Sequence, residues 1–337
     1  MPPKRRRLNE RRKAGDEGEE QLEGTPTTQS RPHDELWFSD GSIVLATDVH
    51  LYRVHKSMLA KYSKVLRDLF EIPTGDAEME SWEGVPIVRM VGDSDGEVYM
   101  LLKALYGVNL QVPALHVLTL SEVTSLLSIS SKYDCKVMRA DVIQRLESIF
   151  PNNLEKMWAA KLLWESFLPS HAFELLAVAH RCEALLILPT LFYLCARFPL
   201  EKSIGAVQAL PQDVQKNFLL GRDWLLECSH RLRGRFLQST KIGGLNHVNQ
   251  ICRSPECLEK IRAQLSVKPF ALIFDVPDRG VLVGLDMNQS EICGDCAKKH
   301  VNTIRNLKKL HWDELPVKFT SNSWEELRKK AISTATP

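Results

Sequence analysis

The hydrophobic period of this chain changes abruptly at His55, and that change constrains the fold more than any other feature. Before it, Ile43–Ala46 and Leu51–Val54 are short runs of strand-forming residues separated by Thr47-Asp48, a turn signal. After His55-Lys56, apolar residues fall at Met58, Leu59, Tyr62, Val65, Leu66, Leu69 and Phe70. That spacing of three and four makes one helical face, which we expect to break into two helices around Ser63. A hairpin feeding directly into two short helices belongs to an α+β class, a small sheet flanked by helices.

The pattern continues in kind. Pro73 to Gly84 reads as a loop and Pro86–Val91 as a third strand. Ser94-x-x-Glu97 has the form of a capping box, each side chain satisfying a free amide at a helix start, and the helix it opens carries Val98, Leu101, Leu102, Leu105 and Tyr106 inward. Thr119-x-x-Glu122 repeats the device before Val123, Leu126, Leu127 and Ile129. From Lys136 to about Gly234 nearly everything is helical: one stripe runs from Val137 to Phe150 and stops at Pro151, and another joins Trp158, Leu162, Leu163 and Phe167. Pro169, Pro189, Pro199 and Pro211 punctuate the region as starts or breaks. The most apolar run, Ala184 to Ala196, is well short of the roughly 20 residues of a membrane span and reads as a buried helix interrupted at Pro189. From Thr240 the period shortens; Phe270–Val276 looks strand-like, and the chain ends in Trp324, Leu327 and a frayed terminus.

With 337 residues, 44% of them apolar, the chain has material for a substantial core and two domains, and a net charge of +2 describes an ordinary surface rather than one that coats nucleic acid or membrane. Residues 1 to 33 are an exception. They contain almost nothing to bury, so we expect a disordered tail, with order beginning near Leu36. Within the tail Lys4, Arg5, Arg6, Arg7, Arg11, Arg12 and Lys13 form a basic cluster, a nuclear import signal or a solvated tail whose charge Asp16, Glu17, Glu19, Glu20 and Glu23 nearly cancel. The expected location is nucleus or cytoplasm.

Catalysis needs a constellation, and none assembles. There is no P-loop, no G-x-S-x-G, no H-E-x-x-H and no dinucleotide fingerprint after a strand. Asp93-Ser-Asp95-Gly96 is like the start of a calcium loop, but its Gly comes too early and the closing bidentate Glu is missing. We therefore expect a protein that is not an enzyme.

Asp40, the run Tyr52-Arg53-Val54-His55-Lys56, Leu59-Ala60-Lys61-Tyr62-Ser63, Phe70, Val88, the Asp93–Glu97 cap, Leu102 to Tyr106 and Ser131-Lys132-Tyr133-Asp134-Cys135 together resemble the BTB/POZ domain, a protein-interaction module. The likeness covers about residues 34 to 150. The chain is also similar to fungal BTB proteins in which a helical region and a cysteine-pair segment follow the domain. The resemblance implies a BTB/POZ domain over 34–150, a helical region over 151–239 and a C-terminal segment over 240–337. It implies pairing with itself or another BTB protein through the first helix and the strand before it, or docking of a cullin scaffold through the later helices. It further implies a buried charged pair of Asp40 and Lys56 at the pairing groove; the alternative is a turn at Asp40-Gly41 and a solvated Lys56. Tyr52, Val54, Met58 and Leu59 are candidates for interface area or for core, and His55 for a satisfied core histidine.

The eight cysteines divide in two. Cys135, Cys182, Cys195 and Cys228 stand alone in helical patterns, as small buried hydrophobes do; no secretory signal precedes them, so reduced thiols are expected. Cys252-x4-Cys257 and Cys293-x2-Cys296 are paired and lie 35 residues apart. Two such pairs can close a tetrahedral structural zinc site with Zn–S distances of about 2.3 Å, with His300 and His311 as stand-ins for a ligand; the alternative is four reduced bystanders. A DNA-binding regulator would have to use His230–Arg235, Lys298-Lys299-His300 and Lys308-Lys309, which are short, so nucleic acid is the weaker expectation, and a membrane partner is not expected.

Overall fold

A computed structural model describes residues 30–72, 80–107, 118–238, 272–275 and 294–335. The chain is α+β: a five-stranded mixed sheet and, among the described residues, twelve α-helices. The strands are β1 Arg31–Trp37, β2 Ile43–Ala46, β3 His50–Val54, β4 Ser81–Trp82 and β5 Val85–Arg89, in spatial order β1-β3-β2-β5-β4. The central β2–β3 pair is an antiparallel hairpin in which Ile43 faces Val54 and Ala46 faces Leu51. Thr47 closes it, its amide donating to the His50 carbonyl at 2.9 Å while its hydroxyl accepts the His50 amide. β1 runs parallel to β3 and β5 parallel to β2.

Helices α1 Lys56–Tyr62 and α2 Lys64–Glu71 follow the hairpin, and the break between them falls at Ser63. Ser63 leaves the helical region, at φ −119° and ψ 118°, so that its hydroxyl caps α2 by accepting from Leu66 and ties the corner to the Tyr133 carbonyl at 2.6 Å. Both expected capping boxes form, at Ser94/Glu97 on α3 Asp95–Tyr106 and at Thr119/Glu122 on α4 Leu120–Lys132. The Lys132–Asp134 run joins α4 to α5 Lys136–Ile149 through a left-handed Asp134, φ 47°.

Next come α6 Leu154–Trp164, α7 Pro169–Arg181, α8 Leu188–Arg197, α9 Leu200–Gln208 and α10 Gln212–Gln238. The last helices are α11 Gly294–Thr320, packed against α8 and α10, and α12 Trp324–Ala335. One apolar core runs without interruption from Leu36 and Ile43 under the sheet, through α4 and α7, to Phe319 and Leu327. A separate small cluster of Val44, Ala46 and Leu51 lies on the other face of the sheet under Trp37, Trp82, Val85 and Ile87. The alternation of β2 thus sends Ile43 and Leu45 to the helices and Val44 and Ala46 to the outer face, with all four residues buried.

Four expectations are corrected. Order begins before Leu36: β1 starts at Arg31, inside the tail expected over 1–33, because β3 supplies a backbone ladder to a segment rich in strand-poor residues. The loop ahead of the third strand contains β4, which reverses into β5 through Glu83 and Gly84, both at positive φ, 50° and 80°. Pro189 opens α8 in its first turn instead of interrupting it. Within the strand-like run 270–276, Ile273–Asp275 forms a 3-10 turn, and Gly294–Thr320 is helical, with Leu307, Trp312, Leu315 and Phe319 buried.

Candidate functional site

The α1–α2 corner leaves large apolar side chains exposed. α2 turns Leu66 into the core while Val65 and Leu69, four apart on the helix, and Ile72 at its C-cap are 42%, 40% and 61% exposed. Half-buried Phe70 packs against the core, with the Lys56 ammonium of α1 5.9 Å from its ring centroid. Met58 is half-buried on the same corner.

The residues singled out from the sequence do not all reach this surface. Tyr52, Val54 and Leu59 are 0% exposed and belong to the core, so they are corrected from interface to packing; the hairpin and α1 use that area internally. The Asp40–Lys56 pair is also corrected. Asp40 sits in a turn with its side chain 80% exposed, and its partner is His55, Nε2 to Oδ1 3.3 Å. That contact holds the Asp40 carboxyl below the usual range. The other His55 ring nitrogen, Nδ1, lies 3.0 Å from the Tyr106 hydroxyl, which also accepts the His55 amide at 2.8 Å. His55 is therefore satisfied on both sides.

A second polar cluster went unnoticed in the sequence. Asp95, in the first turn of α3, accepts from Thr47 Oγ1 at 2.6 Å and Tyr52 OH at 2.9 Å, and pairs with His50 Nδ1 at 2.9 Å. Burial pushes its carboxyl up, but the hydroxyls of Thr47 and Tyr52 and the His50 ring outweigh that and hold it below the ordinary range. Burial and the same carboxylate raise the Tyr52 phenol. The signal was present, since the acid follows a capping serine, yet only the fold brings α3 beneath the hairpin turn.

Cys135, Cys182, Cys195 and Cys228 are buried and free. Burial pushes the Cys135 and Cys228 thiols up to about 11, which suppresses the reactive thiolate. Cys252, Cys257 and Cys293, and the side chains of Cys296 and His300, lie outside the described residues, as do the basic residues Lys4–Lys13. His311 is buried against Cys228 Sγ at 3.5 Å and Glu314 at 3.3 Å. Among the described residues no three His, Cys, Asp or Glu side chains gather as a metal site, and no helix is long and apolar enough to cross a membrane. Lys308 is buried with its ammonium 4.0 Å from the Trp158 ring centroid, so the Lys308-Lys309 pair presents only Lys309 to solvent.

No family model matches this chain, and neither curated proteins nor solved structures include a relative that it matches.

Proposed function

We propose that this chain is a non-enzymatic interaction protein of BTB/POZ type that pairs with a second copy of itself through the α1–α2 corner. The reading is supported by the element order hairpin, two helices, hairpin, capped helix, and above all by one observation: the Val65, Leu69 and Ile72 stripe. Three large apolar side chains, two on α2 and one at its C-cap, keep their contact with water unless another surface removes it.

Light scattering on the purified chain tests this. A dimer is expected, and Leu69→Glu with Ile72→Glu should weaken it more than about fivefold while circular dichroism stays unchanged, because an exposed stripe leaves the monomer fold intact. A wild-type monomer, or a dimer indifferent to both substitutions, would sink the proposal. Import through Lys4–Lys13 and zinc bound by Cys252, Cys257, Cys293 and Cys296 remain proposals on spacing alone. Metal analysis of the wild type against Cys293→Ser tests the second, with about one zinc per chain expected and lost in the variant.

A further inference from the structure

The charges of α2 run against the dipole of their own helix. Lys64 opens α2 and Glu71 closes it, with no acidic residue in the first turn and no basic residue in the last. A helix N-terminus carries partial positive charge and a C-terminus partial negative, so each residue sits at the end that repels it. The following helices obey the opposite rule: α3 starts with Asp95 and Glu97 and has Lys103 in its last turn, and α4 has Glu122 at its start and Lys132 at its end. An intrahelical pair does not account for the order either. The Lys64 ammonium lies 3.4 Å from Asp68, but a base four residues ahead of an acid is the weaker orientation, and both side chains are exposed.

Lys64, Asp68 and Glu71 form one row along α2, four and three residues apart, and that row flanks the exposed Val65 and Leu69 on the side away from buried Leu66. The apolar side chains are thus bordered by a line that is basic at its N-terminal end and acidic at its C-terminal end.

We propose that the second copy docks antiparallel, α2 against α2 across a twofold axis near Leu69, so that Lys64 of each copy meets Glu71 of the other. This rests on the pairing reading above and adds the direction in which the second copy faces. A twofold contact uses the same patch on both chains. In a parallel pair Lys64 would meet Lys64 and Glu71 would meet Glu71. In the antiparallel pair opposite charges meet at both ends, Val65 approaches Ile72, and Leu69 approaches its own copy. Asp68 falls near the axis, already matched within its own helix by Lys64 and by Arg67 at 3.9 Å. The acidic end of one helix then covers the basic end of the other, which offsets the unfavourable placement in each. Eight residues of helix span only about 12 Å, so these charges set partner choice and direction more than affinity.

Charge exchange reads the direction. Lys64→Glu combined with Glu71→Lys rebuilds both contacts with reversed sign, so this doubly substituted chain should still pair with itself. Against wild type it meets two like-charge contacts, and the two proteins should sort into homodimers. Native mass spectrometry of an equimolar mixture of full chains, one of them isotope-labelled, should show heterodimer at least about threefold below the statistical half, rising toward half in about 1 M ammonium acetate. Lys64→Glu alone should weaken the homodimer about three- to tenfold, and adding Glu71→Lys should restore it. Circular dichroism should be unchanged throughout, because the exchange moves both charges to the ends that the helix dipole favours. Heterodimer at or above half, or a Lys64→Glu dimer as tight as wild type, overturns the antiparallel arrangement. If Leu69→Glu with Ile72→Glu still dissolves that dimer, pairing through the corner stands and only its direction is wrong; a wild-type monomer removes both.

Discussion

Helix α11 contains a proline one turn before it hands over to α12, and the consequence can be measured. Pro316 has no N–H, so the Trp312 carbonyl lacks the donor that a regular helix would supply. The indole of Trp324, at the start of α12, takes that place: Nε1 donates to the Trp312 carbonyl at 2.9 Å in a buried setting, and the two indoles stack with centroids 5.4 Å apart. Trp324→Phe keeps a ring in the stack and removes the donor. The orphaned carbonyl should cost about 1–3 kcal/mol. The smaller ring should cost about 1 kcal/mol more in buried area. Pro316→Ala discriminates between these parts, since the new amide at 316 can reach the Trp312 carbonyl and the same Trp324→Phe change then loses packing alone. Urea unfolding of the four proteins should give a coupling of about 1–2 kcal/mol. Effects that add to within about 0.5 kcal/mol would refute the idea that the indole substitutes for the missing amide.

Helix α10 lies so close to α11 at Gly221 that a Cβ there would run into the Phe319 ring. Phe319 is itself stacked on Phe192, 4.9 Å between centroids, and cannot retreat freely. Gly221→Ala should lower unfolding free energy by about 1–3 kcal/mol despite the better helix propensity of Ala; a more stable variant would contradict the packing. Asp95→Ala strands the Thr47 and Tyr52 hydroxyls and should cost about 2–4 kcal/mol by the same assay. Because the folded protein holds the Asp95 carboxyl below its free value, its contribution is complete above pH ~4 and fades as pH falls below that, through the lower value of the folded state. Wild type and Asp95→Ala should therefore converge in stability toward acid, and parallel pH profiles would count against the network.

Short-range features of the fold were legible in the residues. The strand period at Ile43–Val54, the helical period after His55, the corner at Ser63 and the capping boxes at Ser94 and Thr119 involve partners within a few positions, and these signals agree with one another. Ser63 shows both halves of the matter. Its role as a cap is visible three residues on at Leu66, whereas its bond to the Tyr133 carbonyl, 70 residues away, is not. Strand β1 reads as polar tail because its only reason to be a strand is the edge of β3, which lies outside its own sequence. The residues singled out for an interface and the exposed apolar residues at α2 are different sets. Composition marks Tyr52, Val54 and Leu59 as apolar just as it marks Val65, Leu69 and Ile72, and only the packing of sheet against helices buries the first group and leaves the second exposed. Periodicity determined that this chain has faces to bury; which faces are already covered is decided by long-range packing, because burial is a property of neighbours that local sequence does not contain.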